Sequence, residues 1–380
     1  MLDHSITKFN HVNLPSSALL GSLDKPASAR ANFLSVISRI SVETLAISSA
    51  MIPVLKRCAF VAGKYSLRRM IHGPDGRVPI PIISFRTQQI PILHTLAQIA
   101  VFDAWLLEAT ERFSDTGLEA SVRHGIATCL KATVAKATQA SLYTLAERCG
   151  AQGLYEHNHI IESQLECRGI SISEGDVLTI CIREYQHSAS KQRVICTSTN
   201  FDTITGLASE LLLGRYELPS ARNPECILAK HERAVFDESR ALLKNMRAGH
   251  RSEQFNRTLL PRCQFLVESA GQRMAYEAAL SADVPSTLLA IYEAGVIRGD
   301  SAWYVEKGGI SREMQFAREL EALDTAAPML EQLLDGLGVA EYCTAPVLSD
   351  GSMESFHGKL RGYTGGGVDL NRGFDVRSKL

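Results

Sequence analysis

The chain has 380 residues, 45% hydrophobic and 21% charged, an ordinary globular composition with apolar material for one large core or two smaller ones. Its net charge of -1 argues against general electrostatic attraction to nucleic acid or to an anionic membrane surface. Nine cysteines lie scattered without a CxxC pair, which suggests neither a zinc ribbon nor a disulfide framework and makes reduced intracellular thiols the default.

The start reads without a secretory signal, because Asp3, His4 and Lys8 interrupt it. Residues 1–25 read as the end of a β structure, closed by Pro15 and followed by a polar linker. The most apolar stretch, Phe33 to Gly63, carries Arg39, Glu43, Lys56 and Arg57, so it reads as a buried core helix with a kink at Pro53 and not as a membrane span. Two long helices are expected before residue 113, divided by a turn at Gly73 to Gly76 and by Pro79 and Pro81. A third spans 119–148 and stops at Gly150, as a C-terminal glycine does. Further helices are expected near 230–248, 257–280 and 285–297. One more covers 311–337, where Met314, Ala317, Leu320, Leu323, Leu330, Leu333 and Leu337 form one apolar stripe for core packing. Long helices with short connections make the class mainly α, a helical bundle over 26–215 with further helices following over 216–345. Residues 346–380 read as a Gly-rich, loop-like tail.

Three stretches, in order, resemble the acyl-CoA oxidase and acyl-CoA dehydrogenase superfamily. Phe9-Asn10-His11-Val12 with Leu14-Pro15 is similar to the FDHVRVP-like strand where the family's β-domain meets its helical domain. Lys64-Tyr65-Ser66-Leu67-Arg68-Arg69 with Ile83-Ser84-Phe85-Arg86-Thr87-Gln88-Gln89 resembles the RYSxxR…xDFQTQQ signature. Cys149-Gly150-Ala151-Gln152-Gly153-Leu154-Tyr155 with Ser173-Glu174-Gly175-Asp176 resembles CGGxGY…FEGEN, the flavin-contacting turn and the catalytic loop. Two positions depart from the pattern: Ala151 stands at a usual glycine and Ser173 at a usual aromatic.

The resemblance implies an acyl-CoA oxidase-like bundle, a short β remnant at its start and the oxidases' extra C-terminal helical domain, which favours oxidase over dehydrogenase. It implies FAD as cofactor, an acyl-CoA as substrate and Glu174 as the base for the α-proton. Arg69 would meet the cofactor's pyrophosphate, since guanidinium pairs bidentately with phosphate oxygens. Gln88, Gln89, Gly150, Gly153, Gly175 and Asp176 complete the implied cofactor set. The family's N-terminal helical domain and most of its β-domain are not in this sequence, so weak flavin chemistry is expected of the chain alone. Three functions follow in order: an oxidase or part of one; a non-catalytic helical subunit pairing with a full-length oxidase; an acyl-CoA dehydrogenase. A homodimer or a heterodimer with a full-length oxidase is the implied assembly.

Cys149, His157, His159 and Cys167 are the right residue types for zinc, but their spacing fits no familiar structural pattern, so no metal is expected. Residues 184–206 match nothing in the family and lack helical periodicity. Removing them joins Arg183 to Leu207 in one apolar-rich helix, and the codons allow splice signals at both ends. A retained intron is therefore preferred to a loop insertion. Ser378, Lys379 and Leu380 form the peroxisomal tripeptide, which an import receptor reads at a free C-terminus.

Overall fold

The computed structural model describes residues 6–21, 24, 32, 39–73, 76, 78–182, 207–212, 214, 217–246 and 252–360. Three 29-residue helices form the frame: α1 (Ile40–Arg68), α2 (Arg86–Ser114) and α3 (Ala120–Arg148). Every residue of α3 from Gly125 to Ala135 is buried, so its middle has no solvent face. A helix apolar all round has to lie in the interior, and its alanines and threonines let neighbours come close. α1 and α2 both pack on α3, and α4 (Ile160–Ile172) closes the angle between α1 and α3. By length and composition α1 and α2 would each cross a membrane, but more than half of each apolar window is buried within the bundle.

The remaining helices are α5 (Val177–Ile182), α6 (Leu207–Leu212), α7 (Ile227–Lys244), α8 (Glu253–Thr258), α9 (Cys263–Ser281), α10 (Ser286–Gly299), α11 (Ser301–Glu306), α12 (Arg312–Ala326), α13 (Leu330–Asp335) and α14 (Asp350–Lys359). Of these, α9 is central. It packs on α2 and α3 on one side and on α7 and α10 on the other, so early and late helices share one core. The approach to α3 requires Gly271: a Cβ there would stand 2.1 Å from Thr133 Oγ1 and 3.0 Å from the Cys129 carbonyl oxygen. α7 shows the pattern of a surface helix, burying Leu228, His231, Val235, Phe236 and Ser239 along one stripe.

Several expectations need correction. Residues 6–21 contain no strand, only a 3-10 turn at Ser16–Ala18, and Ile6, Phe9, Leu14 and Leu20 are exposed. A strand needs a neighbour to satisfy its backbone, and none of the described residues supplies one. The two strands that do form are β1 (Met70–His72) and β2 (Pro79–Pro81), an antiparallel hairpin pairing Ile71 with Ile80. Its short length tolerates the two prolines. The core helix expected over Phe33 to Gly63 is present as α1, with Pro53 inside it, and residues 33–38 of that stretch lie outside the described residues. The apolar stripe of 311–337 is broken, because Pro328 ends α12 and a 3-10 turn at Ala327–Met329 resets the register before α13. Ala322, Leu323, Ala326, Leu330 and Leu334 are buried, whereas Met314, Ala317 and Leu320 face solvent. The segment read as a loop-like tail begins with a 3-10 turn at Pro346–Leu348 and with α14, capped by the Ser349 hydroxyl accepting from the Ser352 amide.

Arg273 of α9 ties this arrangement together. Its side chain is 3% exposed and meets Glu232 of α7 at 2.7 Å, Glu277 at 2.8 Å and the Pro219 carbonyl at 2.8 Å. The two carboxylates raise its pKa against the opposing effect of burial. Arg273→Met removes the cation and leaves two buried carboxylates without it. A loss of about 3–5 kcal/mol in unfolding free energy is expected by denaturant titration, with a smaller loss for Arg273→Lys.

Candidate functional site

Glu174 stands on a turn between α4 and α5. α4 closes with the Ser173 amide and hydroxyl both donating to the Gly169 carbonyl. The chain then turns through left-handed conformations at Glu174 (φ 55°) and Gly175 (φ 94°). Glycine takes such a conformation freely, but a residue with a Cβ does so at a cost of roughly 1–2 kcal/mol. Asp176 starts the next helix, its Oδ1 accepting from the Thr179 amide at 3.1 Å. Two residues that the sequence reading passed over hold the turn. Lys131, fully buried in the middle of α3, sends its Nζ to the carbonyls of Ser173 and Gly175, the latter at 2.8 Å. Burial lowers the pKa of this lysine, and the nearby Glu174 and Asp176 carboxylates oppose the shift. Glu43, in the first turn of α1, hydrogen-bonds to Glu174, and that bond and the Glu174 charge raise the Glu43 pKa. The contact favours a proton on Glu43. One signal for Lys131 was legible: it is the lone charge in the apolar run Gly125 to Ala135.

The other implied site residues gather at the far end of α1. Gln88 is buried, and its amide donates to Ser66 Oγ at 2.8 Å and to the Arg148 carbonyl at 2.7 Å, joining α1, α2 and α3. Both of its hydrogens are thus engaged by the protein. Gln89 donates to the Ile83 carbonyl at 2.9 Å and is half-buried. Arg69 caps α1 with its backbone, and its exposed side chain has no hydrogen-bond or ion-pair partner among the described residues. Gly150 follows α3 with φ 58° and open space where a Cβ would stand. Gly153 has a different reason for being glycine, since a Cβ would lie 2.0 Å from the Ala146 carbonyl oxygen. Close packing on the end of α3 fixes it.

The C-terminal segment covers this end. Arg68 pairs with Asp350 and donates to the Val347 carbonyl at 2.7 Å, and the Val347 amide donates to Asn158 Oδ1 at 3.3 Å. His157 lies between Tyr155 and Phe356, with ring centroids 5.2 and 4.2 Å away. His159 meets Thr344 at 3.1 Å. Among the described residues no three His, Cys, Asp or Glu side chains gather as metal ligands. Residues 184–206 and the terminal Ser378 to Leu380 lie outside the described residues. The helices flanking the former, α5 and α6, touch each other and both pack on α9.

No protein-family model and no curated protein matches the chain. Its fold is similar to that of solved acyl-CoA oxidases. Acyl-CoA oxidase 1 of Arabidopsis thaliana aligns with a TM-score of 0.67 at 15% identity, over 92% of this chain and 59% of that one. Acyl-CoA oxidase 1 from Yarrowia lipolytica gives 0.69 at 13% identity, over 90% and 58%. Acyl-CoA oxidase-2 of Caenorhabditis elegans, bound with FAD, ascaroside-CoA and ATP, gives 0.66 at 13% identity, over 89% and 54%. The chain thus spans a little more than half the length of each of these oxidases. It has the fold of their C-terminal helical domains.

Proposed function

We propose that this chain is the helical part of an FAD-dependent acyl-CoA oxidase, acting on an acyl-CoA to give the trans-2-enoyl-CoA with electrons passed to oxygen. The pathway is fatty-acid β-oxidation or the tailoring of a fatty-acid-like secondary metabolite. The observation that carries the reading is the Glu174 turn, a carboxyl with no ion pair among the described residues, held on a strained loop between two helices. FAD and a CoA ester are known from the C. elegans structure. Flavin, when bound, supplies the hydride acceptor, and the protein supplies the base, the orientation and the exclusion of water. Glu174 would take the α-proton, with Glu43 hydrogen-bonded beside it to share the charge change.

Arg69 and the open face of Gly150 fit a phosphate-bearing cofactor, while Gln88 and Gly153 already have structural work within the protein. These residues and Glu174 lie toward opposite ends of α1. From Glu43 to Ser66 the helix rise of 1.5 Å per residue gives a separation of roughly 35 Å, further than one flavin dinucleotide reaches. An active enzyme on this reading therefore combines two chains, as a homodimer or as a heterodimer with a full-length oxidase. The same separation favours the second reading, a non-catalytic helical subunit of such a pair.

The visible spectrum of the purified chain separates the two. Bound flavin that bleaches anaerobically with acyl-CoA supports the oxidase, and a colourless protein copurifying with a full-length oxidase supports the helical subunit. In whichever assembly is active, Glu174→Gln should abolish bleaching while flavin content stays within about two-fold, because the amide keeps the shape but accepts no proton. Activity within a few-fold of the parent refutes Glu174 as the base, and loss with Glu43→Gln alone would move that role to Glu43.

The terminal Ser378-Lys379-Leu380 supports a peroxisomal address, where hydrogen peroxide from an oxidase is contained. A fluorescent protein fused to the N-terminus should enter peroxisomes and return to the cytosol when the tripeptide is deleted. Diffuse fluorescence from the intact fusion would refute it.

A further inference from the structure

A lysine is almost never fully buried unless its charge is met. Lys131 is fully buried on a helix whose neighbouring positions, Leu130 and Ala132, are apolar and equally buried. A leucine or methionine at this position would fill the same space, so packing does not explain an ammonium. What the ammonium reaches does: the carbonyls of Ser173 and Gly175, one on each side of Glu174. Between those two acceptors the backbone runs left-handed at two successive residues, one of them carrying a side chain. Strain of that kind persists only where the surroundings over-determine it. Asp176 caps the helix that follows and Gly169 receives the end of the helix before, but neither touches the two peptides that turn. Burial lowers the pKa of the lysine, and the nearby Glu174 and Asp176 carboxylates oppose that effect in part.

We propose that Lys131 is a positioning residue, a clamp whose ammonium grips the carbonyls of Ser173 and Gly175 and so fixes the left-handed turn that presents Glu174. It acts on the backbone carbonyls and not on the Glu174 carboxyl itself. Its catalytic importance rests on Glu174 being the base, but its structural action does not.

The test uses the full chain carrying Lys131→Met, which keeps the apolar stem and removes the ammonium. Endoproteinase Glu-C, which cleaves after glutamate, reports on the turn by nicking after Glu174, with cleavage after the exposed Glu354 of α14 as internal reference. Nicking after Glu174 should rise at least ten-fold relative to the reference while the melting temperature falls by only a few degrees. Lys131→Gln, which retains one donor, should fall between parent and Met. In the flavin-loaded assembly, Lys131→Met should slow flavin reduction at least ten-fold with KM and flavin content within two-fold. A core-filling lysine would change none of these rates apart from stability. Unchanged nicking in a folded Met variant overturns the clamp. Should that variant not fold, the unsubstituted protein decides: a clamped ammonium gives a slowly exchanging Nζ proton signal with cross-relaxation to residues 173–175, and its absence overturns the clamp. Faster nicking together with full activity of Glu174→Gln would leave the clamp standing and remove Glu174 as the base. Unchanged nicking with a dead Glu174→Gln would do the reverse.

Discussion

The middle of α3 is closed to water on every side, and the positions of its neighbours follow from that. α1, α2, α4, α5 and α9 all touch it, and close approach depends on small residues. Gly271 is the clearest case, because any side chain on that face of α9 would meet the α3 backbone and Thr133. A helix in this position can carry a charged group only if the charge has somewhere to go. Lys131 is the one such group between Gly125 and Ala135, and its exit is the Glu174 turn. Burial of the core and geometry of the candidate site are therefore set by the same helix. Substitutions that shift α3 should be felt at Glu174 before they are felt at the surface.

α1 separates the two groups of candidate site residues. Its first turn carries Glu43 beside Glu174, and its last turn carries Ser66, Arg68 and Arg69. At that far end, Gln88 donates to Ser66 Oγ and to the Arg148 carbonyl, so the ends of α1 and α3 and the start of α2 meet in a common knot of buried hydrogen bonds. Such bonds are costly to leave unmade, about 1–3 kcal/mol each, which accounts for a buried glutamine here. The C-terminal segment then closes over the knot through Arg68, Asp350 and Asn158. At this end the Arg69 guanidinium has no hydrogen-bond or ion-pair partner among the described residues.

The long helices were legible because apolar residues recur over many turns, and Gly150 marked the end of α3 by the conformation it takes, φ 58°. Motif likeness placed Glu174 on a turn that opens a helix, which is where it stands. Register was less legible. The stripe from Met314 to Leu337 was continuous on paper, but the inward face of α12 runs through Gln315, Glu319, Ala322 and Ala326, which leaves Met314 and Leu320 in solvent, and Pro328 then resets the register. Motif likeness also assigned Gln88 and Gly153 to a cofactor, whereas hydrogen bonds and close packing across helices account for both; such non-local contacts leave no mark on local sequence. Lys131 and Glu43 meet Glu174 from 43 and 131 positions away in sequence, counted as 174 less 131 and 174 less 43. No spacing rule reaches that far.

A carboxylate strong enough to take an α-proton from a thioester works best where water is scarce. In this chain Glu174 is half-buried and Glu43 exposed, so the pair is only partly dry. The apolar residues beside them are equally open: Val42 next to Glu43, Ile172 before the turn and Leu178 after it are 52%, 61% and 46% exposed. Exposed apolar side chains flanking carboxyls on three adjoining segments are costly in water and favourable once covered. Covering them would remove water from Glu174 at the same step that buries their surface. The free energy of docking would then do two tasks, holding the cover in place and keeping water from the turn beneath it. On the reading of Glu174 as the base, a turn held from inside by Lys131 would be dry enough for that chemistry only once covered.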